Sequence, residues 1–281
     1  MSLENKQEFA VIIRVEKANP NGDPANNNQP RTDYENHGEI SAECTKRKVR
    51  DRLQEEGHPI FVQSDEKKID GMPSLEARAK SSEHGLGKDA FNATKTNSEE
   101  AIKMACEKWV DVRAFGQVFA FSKDETSAHG VSIGIHGPVT IRPSVSVEPI
   151  STTDIQITKS VNGEGDGTKK SSDTMGKKPR VEKAVYVTYG NICPQLSERT
   201  GFSNEDAEAI KEILPRLYEG DASSARPAGS MSVLKVIWWK HNSKRGACST
   251  YRVHNSLTVH KDGTYDLEPI EGVEVEEIDG F

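Results

Sequence analysis

Phe9-Ala10-Val11-Ile12-Ile13-Arg14-Val15, Asn19-Pro20-Asn21-Gly22-Asp23-Pro24 and Ser41-Ala42-Glu43-Cys44-Thr45-Lys46-Arg47-Lys48-Val49-Arg50-Asp51-Arg52 together decide the fold. They set a strand, a turn-rich hinge and a basic helix in a row. Phe9, Val11, Ile13 and Val15 alternate with Glu8, Ala10, Ile12 and Arg14, the period of two of a strand with one face in a core. Two prolines and an Asn-Gly pair then forbid continuation of the ladder. After a polar loop, Ser41 can cap a helix with Glu43 in its first turn. Ala42, Val49 and Leu53 fall on one side of that helix, and Lys46 and Arg50 sit together at its margin. A helix pinned to a core by one face, with cations along its edge, suits a phosphate backbone.

The net charge of -7 argues at first against a polyanionic partner, but its distribution reverses this. Positions 262–281 hold eight acidic residues and no Lys or Arg, which leaves 37 basic against 36 acidic residues before them. Within that balanced body, Lys46 to Arg52 carries five cations against one anion, and Lys159 to Lys183 seven against four. Local patches, not the total, govern phosphate binding. The acidic tail reads as a solvated edge. No apolar run exceeds Phe9 to Ile13, too short for a membrane span. Met1 to Lys6 lacks the apolar core of a secretory signal. Cys44, Cys106, Cys193 and Cys248 form no paired motif, so reduced thiols and a soluble, cytoplasmic protein are expected.

Further along, Pro59 to Val62 reads as a short strand, and the polar residues after it as a surface insertion broken by Gly71, Pro73, Gly85 and Gly87. A helix is predicted from Ser98 to Val110, with Ile102, Ala105, Cys106 and Trp109 on one face. Alternation returns at Val131, Ile133 and Ile135 and resumes at Val139 and Ile141. Strands predicted at Thr153 to Lys159 and Lys183 to Tyr189 flank the glycine-rich Val161 to Lys170, giving a projecting hairpin with a flexible tip. A second helix runs from Asn204 to Glu219, capped by Ser203 and Asp206, bent by Pro215 and ended by Gly220. Val233 to Trp239, Tyr251 to Val259 and the Asp262-Gly263 turn make the last third strand-rich. The whole predicts an α+β core with insertions and no internal repeat.

No catalytic set emerges. The eight histidines show no His-Glu-x-x-His spacing and no cysteine pair to complete a zinc site. Gly87-Lys88 has Ser82 where a phosphate loop needs glycine, and Gly163-x-Gly165-x-Gly167 lacks the helix of a dinucleotide site. No metal or cofactor is expected. Features that fit nucleic acid are several and independent. Arg226-Pro227-Ala228-Gly229-Ser230 can bring backbone N–H groups to phosphate, or be an ordinary connector. Lys177, Lys178 and Arg180 can track phosphates, with Met175 beside them able to wedge between bases, or simply solubilise a loop. Only 6% of the chain is aromatic, which favours gripping the backbone over reading bases.

Asn19-Pro20-Asn21-Gly22-Asp23-Pro24, Pro30-Arg31-x-Asp33, Ile40-Ser41 with Lys46-Arg47-x-Val49-Arg50, Asp111-Val112-Arg113-Ala114-Phe115-Gly116 and Gly137-Pro138-Val139 occur in this order. This set resembles the backbone subunit of CRISPR Cascade complexes, in the type I-C (Dvulg) branch of the Cas-seven group of the RAMP superfamily. The resemblance implies a modified RNA-recognition-motif (ferredoxin-like) palm at 1–63, 111–152 and 190–281, a helical fingers insertion at about 64–110 and a β-hairpin thumb at about 153–189. It implies no enzyme, but copies that polymerise head-to-tail along one CRISPR RNA beside other Cascade subunits. The guide then pairs with a target DNA strand in antiviral defence, with no membrane involved. Ser41, Lys46 and Arg50 match the guide-backbone helix, with Glu43, Arg47, Arg31, Arg226 and Ser230 added as RNA-binding candidates. Met175, Lys177, Lys178 and Arg180 are the thumb candidates.

A rival reading is enzymatic. Related subunits of type III complexes cut target RNA with an aspartate in the loop between the first strand and the basic helix, where Asp33 lies. It can position a metal or a reacting hydroxyl, or cap a turn.

Overall fold

A computed structural model describes residues 3–92, 95–121, 131–158 and 175–281. Numbering only the strands of the central sheet, these are β1 (Gln7–Ala18), β2 (His37–Ile40), β3 (Val139–Ile141), β4 (Ser144–Pro149), β5 (Thr152–Thr158), β6 (Met175–Ile192), β7 (Met231–His241) and β8 (Val273–Asp279). The order across the sheet is β8-β7-β1-β6-β4-β2, with β3 and β5 also paired to β6. Every pairing is antiparallel. The helices are α1 (Ala42–Glu55), α2 (Leu75–Lys80), α3 (Ser98–Lys108), α4 (Val110–Phe115), α5 (Pro194–Thr200), α6 (Asn204–Ile213) and α7 (Thr250–His254). The class is α+β, as the sequence predicts. None of these helices is long and apolar enough to cross a membrane.

The strand read as one-sided is buried on both faces. Phe9, Val11, Ile13 and Val15 pack under α1, α4 and α6, through Val49, Leu53, Val110, Ala114, Ala207 and Ile210. Ala10 faces the other way, into a smaller cluster with Val187, Ile237, Trp239 and Val253 of α7. An unbroken apolar run is what a strand covered on both sides requires. Across three strands Phe9 lies opposite Gly190 on one side and Trp238 on the other. Its ring stacks on Trp238 at 5.4 Å between centroids. A Cβ on Gly190 would come within 2.1 Å of the Phe9 ring, so the close approach of these strands needs glycine there.

A separate hydrophobic cluster forms from Phe61, Ala79, Ala90, Phe91, Ala105, Trp109, Val112, Phe119, Ile133 and Ile135. It draws on α2, α3, α4 and the hairpin of Gly116–Phe121 with Val131–His136. The polar stretch expected to be mere surface thus carries core residues. Arg78 in it is buried, donating to the Phe61 carbonyl at 3.0 Å and to Asp70, whose carboxyl its bonds hold down at about 2.

Local chemistry explains which expected elements formed. Ser41 accepts from the Cys44 N–H at 3.2 Å and starts α1. Ser203 and Asp206 close a reciprocal capping box on α6. Pro215 ends that helix instead of bending it: α6 stops at Ile213 and a 3-10 turn of Leu214–Arg216 follows. The helix predicted from Ser98 to Val110 breaks at Trp109, which adopts an extended conformation between α3 and α4. Pro59 to Val62 is not a strand, because the Phe61 and Val62 N–H groups donate instead to the Asp111 carboxylate, at 2.7 and 3.0 Å. Tyr251 to Val259 is not one strand either. Ser249 caps the short α7, and only Leu257–Val259 is extended, pairing with Tyr265–Leu267 around the Asp262-Gly263 turn.

Glu8, on β1, is fully buried among Lys6, Thr250, His241 and His254. Burial pushes its carboxyl up, but bonds from His241 and Lys6 outweigh that and hold it below its ordinary value. Burial pushes His254 below the ordinary histidine value, against the pull of Glu8.

Two predictions follow from this packing. Gly190→Ala should destabilise the fold by about 1–3 kcal/mol through overpacking against Phe9, and an unchanged urea midpoint would contradict the three-strand fit. Both depressed groups bind more protons unfolded than folded, so stability should fall on acidification. The loss begins near 6.5, where unfolded His254 takes up a proton and charges, and deepens below 4.5, where unfolded Glu8 takes one up and is neutralised. Urea midpoints that stay flat from about pH 7.5 to about pH 4 would refute this.

Candidate nucleic-acid interface

The five cations of α1 look alike in sequence but not in space. Lys48 is buried and bonds Asp221, and Arg52 is buried against the Glu219 carbonyl and Glu55. Arg47 is turned into the protein: its Nε donates to Asp51 at 2.8 Å and one terminal nitrogen to the Val62 carbonyl at 2.6 Å. Its other terminal nitrogen is buried without a partner. Arg47 is thus tied into the protein on one edge, although its side chain keeps 24% of its surface exposed against 13% for Arg50. Lys46 and Arg50 remain, one turn apart on the margin of the helix, with Glu43 exposed beside them.

These two are held from one side. Arg50 donates through Nε to Asp111 at 2.9 Å, and its terminal nitrogens have no protein partner among the described residues. The Phe115 ring lies 5.6 Å from Lys46 Nζ and 5.1 Å from Arg50 Cζ. Burial, and then the Arg50 charge, lower the Lys46 ammonium from its ordinary value.

The hinge anchors the start of the helix. Asn21 Oδ1 accepts the Ser41 N–H at 2.9 Å, and Asn19 donates to the Asn28 carbonyl at 2.6 Å. Asn19 also donates its backbone N–H to the Ala225 carbonyl at 2.9 Å, and Glu16 to that of Ser230 at 2.8 Å. The Arg226–Ser230 loop is thereby tied to the end of β1. Asp221 gathers Lys48 and, at 3.0 Å, Arg226. Burial raises the nearby Cys44 thiol, while Lys48, Arg226 and Arg31 draw it down. Arg226 is thus joined to α1 through Asp221, while Arg31 lies 3.6 Å from Asp23 in the hinge. A cleft of about 290 Å³ is lined by Asp221, Arg226, Gly229 and Ser230. The Ser230 hydroxyl and Arg31 Nε are both buried without partners.

The remaining candidates lie on the β5–β6 hairpin. Lys177 pairs with Gln156 and Lys178 with Ile155, so the two lysines face opposite sides of the ribbon. Lys177 sits 3.8 Å from Asp154, and Arg180 bonds Glu182 at 3.0 Å. Met175 pairs through its backbone with Thr158, but its side chain, like the tip at 161–170, lies outside the described residues. β6 is far longer than the strand predicted at Lys183 to Tyr189, because the run read as loop up to Arg180 is itself extended. Asp33 is occupied in a turn: its Oδ1 accepts the N–H groups of Glu35 and His37 at 2.9 and 2.8 Å. Among the described residues no three His, Cys, Asp or Glu side chains are grouped to hold a metal ion.

Asp111, Phe115, Asn21 and Asp221 carry this arrangement without having been assigned a role from sequence. The first three lie inside motifs already singled out, and only Asp221 left no signal. Arg47→Met should cost about 1–3 kcal/mol of stability through its lost charged bonds, with Lys46 and Arg50 left in place. A variant as stable as the parent in urea would show that the inward bonds are idle.

Residues 5–279 match the family described as CRISPR-associated protein Cas7. A curated relative of that description from Haloferax volcanii is 24% identical over 287 residues, covering 98% of this chain and 82% of the relative. Among solved structures, a chain of a pre-nicking CRISPR RNA-guided surveillance complex matches at 15% identity and a TM-score of 0.48, over 83% of this chain and 78% of that one. A chain of a second such complex matches at 15% identity and 0.47, over 92% and 77%.

Proposed function

The chain belongs to the Cas7 family of CRISPR-associated proteins, and from that premise we propose that it is the CRISPR RNA-binding backbone subunit of a Cascade surveillance complex. The observation that carries the reading is the pair Lys46 and Arg50 at the margin of a core-pinned helix, both over the Phe115 ring, with Arg226 joined to the same helix through Asp221. A subunit that serves any spacer must hold sugar and phosphate and leave base edges free for pairing. Cations on a helix margin and backbone N–H groups of a fastened loop do that without reading sequence.

In this reading the central sheet with α1 and α6 is the palm, the second cluster belongs to the fingers, and the β5–β6 hairpin is the thumb. Lys177, Lys178 and Arg180 then meet RNA held by a neighbouring copy. Copies associate head-to-tail, as an open filament requires, in a cytoplasmic type I-C complex with other Cascade subunits, and the guide pairs with target DNA. The protein acts by holding and displaying the guide, not by cleaving it. The two backbone bonds that occupy Asp33 favour a structural role for it over a catalytic one.

The test is electrophoretic. Purified protein titrated onto a labelled CRISPR RNA and unrelated RNAs should give a ladder of sequence-indifferent shifts without cleavage. Lys46→Ala/Arg50→Ala should weaken all of them alike and flatten the salt dependence by about 0.7 per lost phosphate contact. Cleavage of a complementary RNA, abolished by Asp33→Ala, would replace this reading with a ribonuclease.

A further inference from the structure

We propose that Asp111 and Phe115 are positioning residues that preset Lys46 and Arg50 for phosphate, an inference that rests on the RNA-binding reading above. The two pairs match in spacing. Lys46 and Arg50 are one turn apart on α1, and Asp111 and Phe115 are one turn apart on α4, so two helix faces meet residue for residue.

Each contact restrains a different freedom. Asp111 is fully buried and takes Arg50 only through Nε, which fixes the plane of the guanidinium and leaves its terminal fork unclaimed. That fork is the part with the geometry to bind a phosphate through two parallel bonds. Asp111 cannot swing to meet the cation in other ways, because it also accepts the N–H groups of Phe61 and Val62. Phe115 packs against the main core and lies under both cations. The negative face of a ring attracts each of them, which lets two like charges stand side by side before any phosphate arrives. Burial first, and the Arg50 charge second, lower the Lys46 ammonium, so the two cations stand together before any phosphate offsets either cost.

The ring itself is held in place. Gly116 directly after it has φ +79°, and a Cβ there would lie 2.2 Å from the Ile135 carbonyl oxygen. α4 must therefore end at Phe115. Arg113 on the same helix bonds both oxygens of Asp206, at 2.9 and 2.6 Å, and so ties α4 to the first turn of α6. The short helix is locked at both levels, and the cation pair inherits its position.

The experiment measures RNA affinity against salt concentration, with thermal unfolding alongside, for the parent, Phe115→Leu and Phe115→Tyr. It repeats Phe115→Leu in the Lys46→Ala/Arg50→Ala background. Phe115→Leu should weaken binding about tenfold and flatten the log–log salt slope by about 0.7 to 1.4, one to two phosphate contacts on a single strand. Phe115→Tyr, which keeps the ring, should restore both. In the double-alanine background Phe115→Leu should change affinity no further, since nothing remains to position. A Phe115→Leu protein that loses thermal stability yet keeps the parental slope would overturn the positioning role while leaving the RNA-binding reading intact. Failure of the parent itself to bind RNA would overturn both.

Discussion

One buried carboxylate holds the two halves of this molecule in register. Asp111 has no exposed surface, and it receives the N–H groups of Phe61 and Val62 together with Arg50 Nε. A charge so deeply placed is tolerable only with its lone pairs satisfied, and losing one partner leaves the others facing an uncompensated ion. Its three donors come from the basic helix and from the segment leading into the second hydrophobic cluster. Asp111 itself belongs to the helix that bridges both cores: Val110 and Ala114 pack in the first, and Val112 in the second. The carboxylate thus joins the basic helix and the segment at Phe61 and Val62 to the helix that spans both cores.

Much of this was legible because it is local. The hinge prolines, the Ser41 cap and the Ser203-Asp206 box act within a few residues, and sequence spacing reports them directly. What stayed hidden depends on distant partners. Lys46 and Lys48 are equivalent in any window, yet Lys48 is drawn inward by Asp221, 173 residues away. Pro59 to Val62 carries strand-like residues, and only the position of Asp111, 49 and 50 residues on, shows that a carboxylate takes the place of a neighbouring strand. Alternation in β1 correctly marked a strand, but the second covering layer comes from α7 and the last strands, which no local pattern links to it.

Charge is segregated with the same economy. The acidic C-terminal segment ends in β8, the edge of the sheet, which holds four of its eight carboxylates; there Glu276 meets Lys211 and Asp279 meets Lys235. An edge strand lined with carboxylates resists pairing with a stray chain. It also keeps negative charge on the border of the sheet, so a protein of net charge -7 can still present a cationic helix.

The length of β6 has a mechanical consequence. Eighteen extended residues at about 3.4 Å each make a rod of about 60 Å. From Val181 to Ile192 that rod is laced to β1, and from Arg180 back to Met175 it is paired with β5, whose Asp154 accepts a bond from Gln29 at 2.9 Å. Pro179 sits in this overhang, where β1 no longer pairs and a missing N–H leaves the sheet's interior ladder whole. The hairpin is therefore a cantilever rooted in the stiffest part of the molecule. A sideways load on it is carried as shear between β1 and β6, so its pointing direction is a property of the sheet's twist and not of any loop.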